Sequence, residues 1–268
     1  MNKILYILLF SVLFFSCSPY QKALKSEDLA FKYEIATQKY EKKKYSKAIR
    51  LFEQLAGPNR GKPQAEKLFY MFAQSYYKTE QYYLAAYQFE SYAATYPKSE
   101  HREEAYFLAA KSYSMLSPVY SLDQTDTDKA VDKLQTFINT YPNSEHFAEA
   151  NKIIVELRDK LEKKAFEIAK QYNTTGEYWH SYNSAIKALD NFISDYPGTK
   201  YKEDALYYKF DSYYKLAINS VASKMEERLI NAKTAYTGLV RFNPDTKYKK
   251  EAEEKLGLIE IELQKFSK

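Results

Sequence analysis

Four prolines mark this chain at nearly regular intervals: Pro97, Pro142, Pro197 and Pro244. They sit in related phrases, SYAATYPKSEH, TFINTYPNSEH, NFISDYPGTKY and GLVRFNPDTKY. Twelve residues before each proline stands an alanine, Ala85, Ala130, Ala185 or Ala232. Eight before stands a large side chain, Phe89, Leu134, Leu189 or Tyr236. An earlier copy has Ala48 and Phe52, with Arg60 where the proline would fall. Self-similarity at such a period signals stacked supersecondary units that share one continuous core. The small alanine lets two antiparallel helices approach closely. The large residue one turn on fills the groove between them. The proline lacks an N–H and clashes with the preceding turn, so it stops the helix. Ser99, Ser144 and Thr199 then offer hydroxyls to cap the next helix. With only 6 glycines and 8 prolines, the chain has few turns, and long helices must fill it.

The pattern resembles the A-x3-F-x7-P half of a tetratricopeptide repeat. In the second copy Phe69, Phe72, Ala73 and Tyr76 match the first-helix half, W-x2-L-G-x2-Y. The third copy gives Ala105, Leu108, Ala109 and Ser112, and its two helices are separated by an insertion, residues 117–128, that reads as a surface loop. The fourth copy reads as one long first helix, about 147–172, with the stripe Ile154, Leu157, Leu161, Ala165 and Ile168 spaced three or four apart. It should end at the turn NTTGE. The fifth copy stretches from Glu203 to Val240, and a last helix, about 247–266, should cap the stack. The expected fold is all-α: a tetratricopeptide-repeat solenoid of about five helix-turn-helix units with a C-terminal capping helix. Repeats 1–3 would occupy residues 28–146, and repeats 4–5 with the cap residues 147–268. Their lengths exceed the usual ~34 residues, chiefly through longer helices.

The N-terminus carries a different signal. A basic Met1-Asn2-Lys3 precedes the apolar run Ile4–Phe15, too short for a membrane span of roughly 20 residues but of the length of a secretory signal core. Cys17, the only cysteine, follows Ser16. This resembles the lipobox of bacterial lipoproteins, with bulky Phe14 and Phe15 departing from the usual Leu-Ala/Ser-Gly/Ala. The resemblance implies cleavage after Ser16, a diacylglycerol on the Cys17 thiol and acylation of the new amine. Residues 1–16 would then be the signal peptide and 17–27 a lipidated tether. Ser18 is not an acidic retention signal, which points to the outer membrane, most simply facing the periplasm. A single, modified cysteine excludes disulfides.

The net charge of +5 is spread along the chain, with Lys and Glu interleaved. No concentrated basic stripe of the kind that binds nucleic acid stands out. A catalytic centre should show clustered His, Cys, Asp or Glu, or a glycine-rich loop. His101 and His146 both lie four residues after a repeat proline, where later copies have Tyr201 and Tyr248, so register explains them and a metal does not. His180, beside Trp179, has no assigned role. Glu103, Glu104, Asp126 and Asp128 read as a solvated face. No catalytic residue, metal ligand or cofactor is expected beyond the acyl groups on Cys17, and the chain is read as a non-enzyme.

The 28 tyrosines need another explanation, since tyrosine is not a strong helix former. In the tetratricopeptide family, first-helix positions 5, 9 and 12 line the concave surface. Position 5 gives Tyr33, Tyr70 and Tyr106; position 12 gives Tyr40, Tyr77 and Tyr113. Residues seven apart share a helix face, so the six are expected to form a ladder in one groove. Tyrosine offers a large contact area at low entropic cost, suited to an extended aromatic-rich peptide. Lys67 and Lys78 are expected to pair with a terminal carboxylate.

Taken together, the apolar leader, Cys17, five repeats and the junctions Tyr96-Pro97, Tyr141-Pro142 and Tyr196-Pro197 resemble the BamD family, the tetratricopeptide-repeat lipoproteins of the outer-membrane β-barrel assembly machinery. That resemblance implies N-terminal repeats that engage unfolded outer-membrane protein precursors and C-terminal repeats that hold a BamA-like barrel subunit. A periplasmic repeat lipoprotein scaffolding cell division or peptidoglycan synthesis would share every motif. A glycan-capturing lipoprotein fits less well with one tryptophan, and a wall hydrolase would need a catalytic cluster.

Overall fold

The computed structural model describes residues 18–179 and 181–267. Cys17 and the leader, His180 and the side chain of Trp179 lie outside the described residues. Among the described residues there are helices and no strands. A short helix α1 (Pro19–Lys25) is followed by five helix pairs: α2 (Leu29–Glu41) with α3 (Tyr45–Ala56), α4 (Ala65–Lys78) with α5 (Tyr82–Thr95), α6 (Arg102–Leu116) with α7 (Thr125–Thr140), α8 (Phe147–Trp179) with α9 (Tyr182–Asp195), and α10 (Lys202–Ile218) with α11 (Ala222–Phe242). The last helix, α12 (Lys249–Gln264), packs on α10 and α11. The protein is thus an all-α tetratricopeptide-repeat protein with a terminal capping helix.

The repeat alanines do what the pattern requires. Ala48, Ala85, Ala130, Ala185 and Ala232 are completely buried, as are Phe52, Phe89, Leu134 and Leu189. Tyr236 is half-buried and meets the Phe210 ring edge-on at 5.7 Å. Burying side chains of this size contributes about 1.5–3 kcal/mol each. Before Pro97, Pro142 and Pro197 the helix closes on a tyrosine whose N–H reaches the carbonyl four residues back: Tyr96 to Tyr92, Tyr141 to Phe137, Tyr196 to Phe192. Asn243 does the same before Pro244.

The hydroxyls after the prolines act one step earlier than expected. The Ser99, Ser144 and Thr199 hydroxyl oxygens accept the N–H two residues on, from His101, His146 and Tyr201, at 3.0–3.1 Å. Thr246 does the same with Tyr248 at 3.3 Å. The cap positions of α6, α10 and α12 are His101, Tyr201 and Tyr248, which make no side-chain cap bond. The hydroxyls therefore shape the turn that delivers these rings.

Contacts divide the molecule into two compact units. Of the described residues, one unit comprises those up to Pro118 with Asp123–Leu157; the other comprises Val119–Leu122 with those from Arg158 on. The division falls within α8, not between residues 146 and 147. Residues expected as a tether are instead largely helical: α1 buries Tyr20 and Ala23 against α2 and α3.

Two further expectations are corrected. Residues 125–128 of the third-copy insertion belong to α7, because buried Thr127 bonds Gln124 at 2.8 Å and Ser117 at 2.6 Å. The NTTGE segment is not a turn: α8 runs through it to Trp179. Asn173 is buried, and its amide donates to Asp211 at 2.8 Å and Ser212 at 2.9 Å. Gly176 lies within this helix where the Tyr182 ring leaves no room for a side chain; a Cβ there would lie 2.5 Å from the ring.

Candidate peptide-binding cleft

The junction turns set four ring stacks, one at each proline-marked boundary. His101 lies on Tyr70 (4.2 Å between centroids, 14° between planes), and His146 on Phe107 (4.4 Å, 4°). Tyr201 lies on Phe166 (4.9 Å, 8°), and Tyr248 on Tyr207 (3.8 Å, 4°). Both histidines therefore serve as flat aromatic plates, as repeat register implies. Among the described residues no cluster of His, Cys, Asp and Glu could hold a metal ion.

These stacks fix the true register of the first helices. Tyr70, Phe107, Phe166 and Tyr207 are equivalent, and each has a glutamate four residues earlier: Glu66, Glu103, Glu162 and Glu203. Equivalence of the second and third repeats recurs elsewhere. Tyr76 donates to Glu53 and Tyr113 to Glu90, each at 3.0 Å and across the same sequence separation. Phe69 meets Tyr96 as Tyr106 meets Tyr141. Tyr106 and Tyr113 are thus one residue out of line with Tyr70 and Tyr77. Tyr113 is a buried core residue, 5% exposed, with Lys129 Nζ 4.1 Å over its ring. The E-x3-[YF] spacing was the sequence signal that could have corrected the alignment.

The six tyrosines consequently do not share one groove. Within the first unit a cleft of about 550 Å³ has Tyr40 of α2, Lys67 and Tyr70 of α4, Tyr92 of α5 and the junction residue His101 on its wall. Tyr33, Tyr77, Tyr106, Tyr113 and Lys78 are not part of that wall. Tyr33 is half-buried against the first-unit core. Tyr77 meets Tyr82 and Phe89 edge-on, with Lys78 Nζ 5.9 Å from its ring.

The cleft is rigidly built. Tyr70 donates to Glu104 at 2.5 Å and accepts from Gln74 at 3.0 Å, while its ring is held by His101. Burial, and then the Glu104 hydrogen bond, push the Tyr70 phenol far above its ordinary range. Tyr92 shares a 2.6 Å hydrogen bond with Ser99 and lies 3.4 Å from Glu66. Burial pushes its phenol up to about 12, with Ser99 opposing and Glu66 reinforcing the shift. Burial, then Tyr45 and Glu104, raise Tyr40 as well. All three phenols therefore stay neutral at physiological pH and act as apolar plates with polar rims. Three carboxylates, Glu41, Glu66 and Glu100, share the wall with the single ammonium of Lys67. That balance favours a cationic side chain in the cleft over the terminal carboxylate expected for Lys67 and Lys78.

A family model described as YfiO, outer membrane lipoprotein, matches residues 27–229 and again 180–265. Among solved structures, the TPR2AB domain of yeast Sti1 in its pHSP90 complex is 12% identical. It covers 87% of this chain and 98% of its own, with a TM-score of 0.39. The nearly identical TPR-like repeats of a Podosopora anserina putative kinesin light chain are 17% identical, covering 88% of this chain and 96% of theirs, with a TM-score of 0.32.

Proposed function

This chain belongs to the YfiO family of outer membrane lipoproteins, the BamD family, and on that premise we propose that it is a non-catalytic scaffold of the β-barrel assembly machinery. It binds extended segments of unfolded outer-membrane protein precursors in its first unit and a BamA-like barrel subunit through its second. Cys17 carries the acyl anchor, and the body faces the periplasm. No described helix is long and apolar enough to cross a membrane.

The observation that carries the client reading is the tyrosine cleft. Its aromatic wall suits side chains of β-barrel strands, which alternate apolar and polar residues. A cleft edged by half-buried Tyr40 and Tyr70, with Tyr92 buried behind them, can hold an aromatic ring while Glu41, Glu66 and Glu100 receive a neighbouring Lys or Arg. For the second unit, support comes from apolar residues on the outer side of its last helix. Leu258 and Ile261 are 50% and 55% exposed, whereas Ile259 between them is fully buried. Exposed apolar positions grouped on one element suit a lasting partner.

The test is titration of the mature protein with a fluorescent peptide from the last strand of a barrel protein. Tyr40→Ala should weaken binding by about tenfold, near 1.4 kcal/mol, with circular dichroism unchanged. Unaltered affinity with the fold intact places clients elsewhere and leaves the cleft as packing.

A further inference from the structure

Five lysines of one short segment, residues 39–47, gather beside α1 at one corner of the first unit. The turn between α2 and α3 is Lys42-Lys43-Lys44, and all three side chains are exposed. Lys39, near the end of α2, and Lys47, on α3, reach back to the same ring: their Nζ atoms lie 5.8 Å and 5.3 Å from the centroid of Tyr20 on α1. The charged residues of α1 itself are lysines, Lys22 and Lys25. Among the described residues none of the five turn lysines has a carboxylate within ion-pair distance. Burial, and then the charges of Lys44, Lys42 and Lys47, hold the Lys39 ammonium below its ordinary range.

The fold does not require these lysines. The next repeat makes the same turn with Thr79-Glu80-Gln81. Lys43 and Glu80 take the same left-handed backbone, φ 55° and 59°. The flanking edge-on pairs are also the same, Tyr40 with Tyr45 at 5.7 Å and Tyr77 with Tyr82 at 5.8 Å. One copy of this turn carries three positive charges and the other carries one negative charge, on an identical scaffold. Local repulsion in the first copy is therefore uncompensated by any ion pair among the described residues.

Position supplies the missing partner. Ser18 is the N-cap of α1, and α1 is packed down by buried Tyr20 and Ala23. Tyr20 stands three positions after Cys17, a reach of about 11 Å at most. An acyl group on Cys17 would therefore bring a bilayer surface near the ring that Lys39 and Lys47 flank.

We propose that this lysine corner is a second membrane contact, which lies against anionic phospholipid headgroups of the leaflet holding the acyl chains and orients the first unit on it. The inference rests on the reading of Cys17 as the anchor. Acyl chains supply depth, and the lysines supply a charge-selective footing beside them. Lysines at such a surface each strengthen binding by about fivefold when they lie within a Debye length, about 10 Å at 0.1 M salt.

The experiment uses the chain from Ser18 onward, which keeps every described helix and lacks the anchor. It is sedimented with vesicles of phosphatidylethanolamine, with and without phosphatidylglycerol. Binding should require phosphatidylglycerol and disappear near 1 M salt, where the Debye length is about 3 Å. The triple variant Lys42→Gln, Lys43→Gln, Lys44→Gln should bind at least about tenfold more weakly, with unchanged circular dichroism. Lys249→Gln with Lys250→Gln, in the second unit, should bind as the parent does. Equal binding to both vesicles, full binding by the triple variant, or equal loss in the second-unit control would each overturn the proposal. Competition by inorganic phosphate at matched ionic strength would also overturn it, by making the site a free-anion site. The anchor reading is tested separately, by mass spectrometry of the mature N-terminus for acylated Cys17, so the two can fail independently.

Discussion

Tyr248 lies flat on Tyr207, with ring centroids 3.8 Å apart and planes 4° apart, and its hydroxyl donates to Asp204. The same stack is built at three earlier boundaries with His101, His146 and Tyr201 as the upper ring. Each upper ring follows its proline by four residues, so one local turn repeatedly delivers a plate to the next helix.

Removing that plate should be costly. Tyr248→Ala is expected to destabilise the second unit by about 2–3 kcal/mol, from lost ring burial and the stacked geometry. Tyr248→Phe keeps the stack and loses only the Asp204 bond, for about 0.5–1.5 kcal/mol. His101→Tyr should be tolerated within about 1 kcal/mol, because tyrosine fills the equivalent place twice. Urea unfolding of the three variants checks the order; a His101→Tyr loss as large as that of Tyr248→Ala would refute the equivalence.

A buried charge cluster ties the last helix to the rest of the second unit. Asp211 is 3% exposed and binds Lys255 at 2.6 Å, Lys215 at 2.7 Å and Asn173 at 2.8 Å. Burial pushes its carboxyl up, but hydrogen bonds from Lys215, Lys255 and Asn173 outweigh burial and hold it below the usual carboxylate range. A carboxyl depressed on folding contributes stability above its unfolded pKa, about 4, and loses it as pH falls through the folded value. Burial lowers Lys255, but Asp211, Glu251 and Tyr207 more than reverse this and raise it. Its contribution is therefore present below the ordinary lysine range and lost only at high pH. Asp211→Asn should cost about 3 kcal/mol at pH 7, and the gap to the parent should narrow below about pH 4. A gap that stays constant down to about pH 2 would contradict the assignment.

Two helical glycines should respond oppositely to alanine. At Gly176 a Cβ would sit 2.5 Å from the Tyr182 ring, so Gly176→Ala should destabilise by about 1–3 kcal/mol despite its better helix propensity. At Gly257 in α12 a Cβ meets open space, and Gly257→Ala should stabilise by about 0.5–1 kcal/mol. Thermal unfolding of the pair gives the signs directly.

What could be read from the chain alone follows from these cases. Pro97, Ala85 and Phe89 act through short-range sterics that recur at fixed spacing, so the repeat and its core were legible in one sequence. The alignment of Tyr106 and Tyr113 slipped because adjacent rings abound. Phe69 and Tyr70 are neighbours, as are Tyr106 and Phe107, and only the stacks tell which member faces the junction. The helix through Asn173 and Gly176 was hidden because Asp211 and Tyr182, which satisfy and cover them, are remote or unspecified in the local pattern. The lysine corner is not legible in the sequence because Tyr20 and Lys47 meet only after α1 docks.

On α12, Ala252 and Ile259 are fully buried, and Leu258 and Ile261 turn outward. A capping helix needs only one apolar face, so two half-exposed branched side chains on the other side are surplus to the fold. Replacing both, Leu258→Glu with Ile261→Glu, should leave unfolding within about 0.5 kcal/mol of the parent, as for exposed positions generally. It should also place two charges where a partner would have to desolvate them, and so reduce co-purification of a BamA-like subunit from solubilised membranes by at least about tenfold. Peptide binding in the first-unit cleft should be unaffected. Full recovery of the barrel subunit with the doubly substituted, folded protein would move the docking surface away from α12.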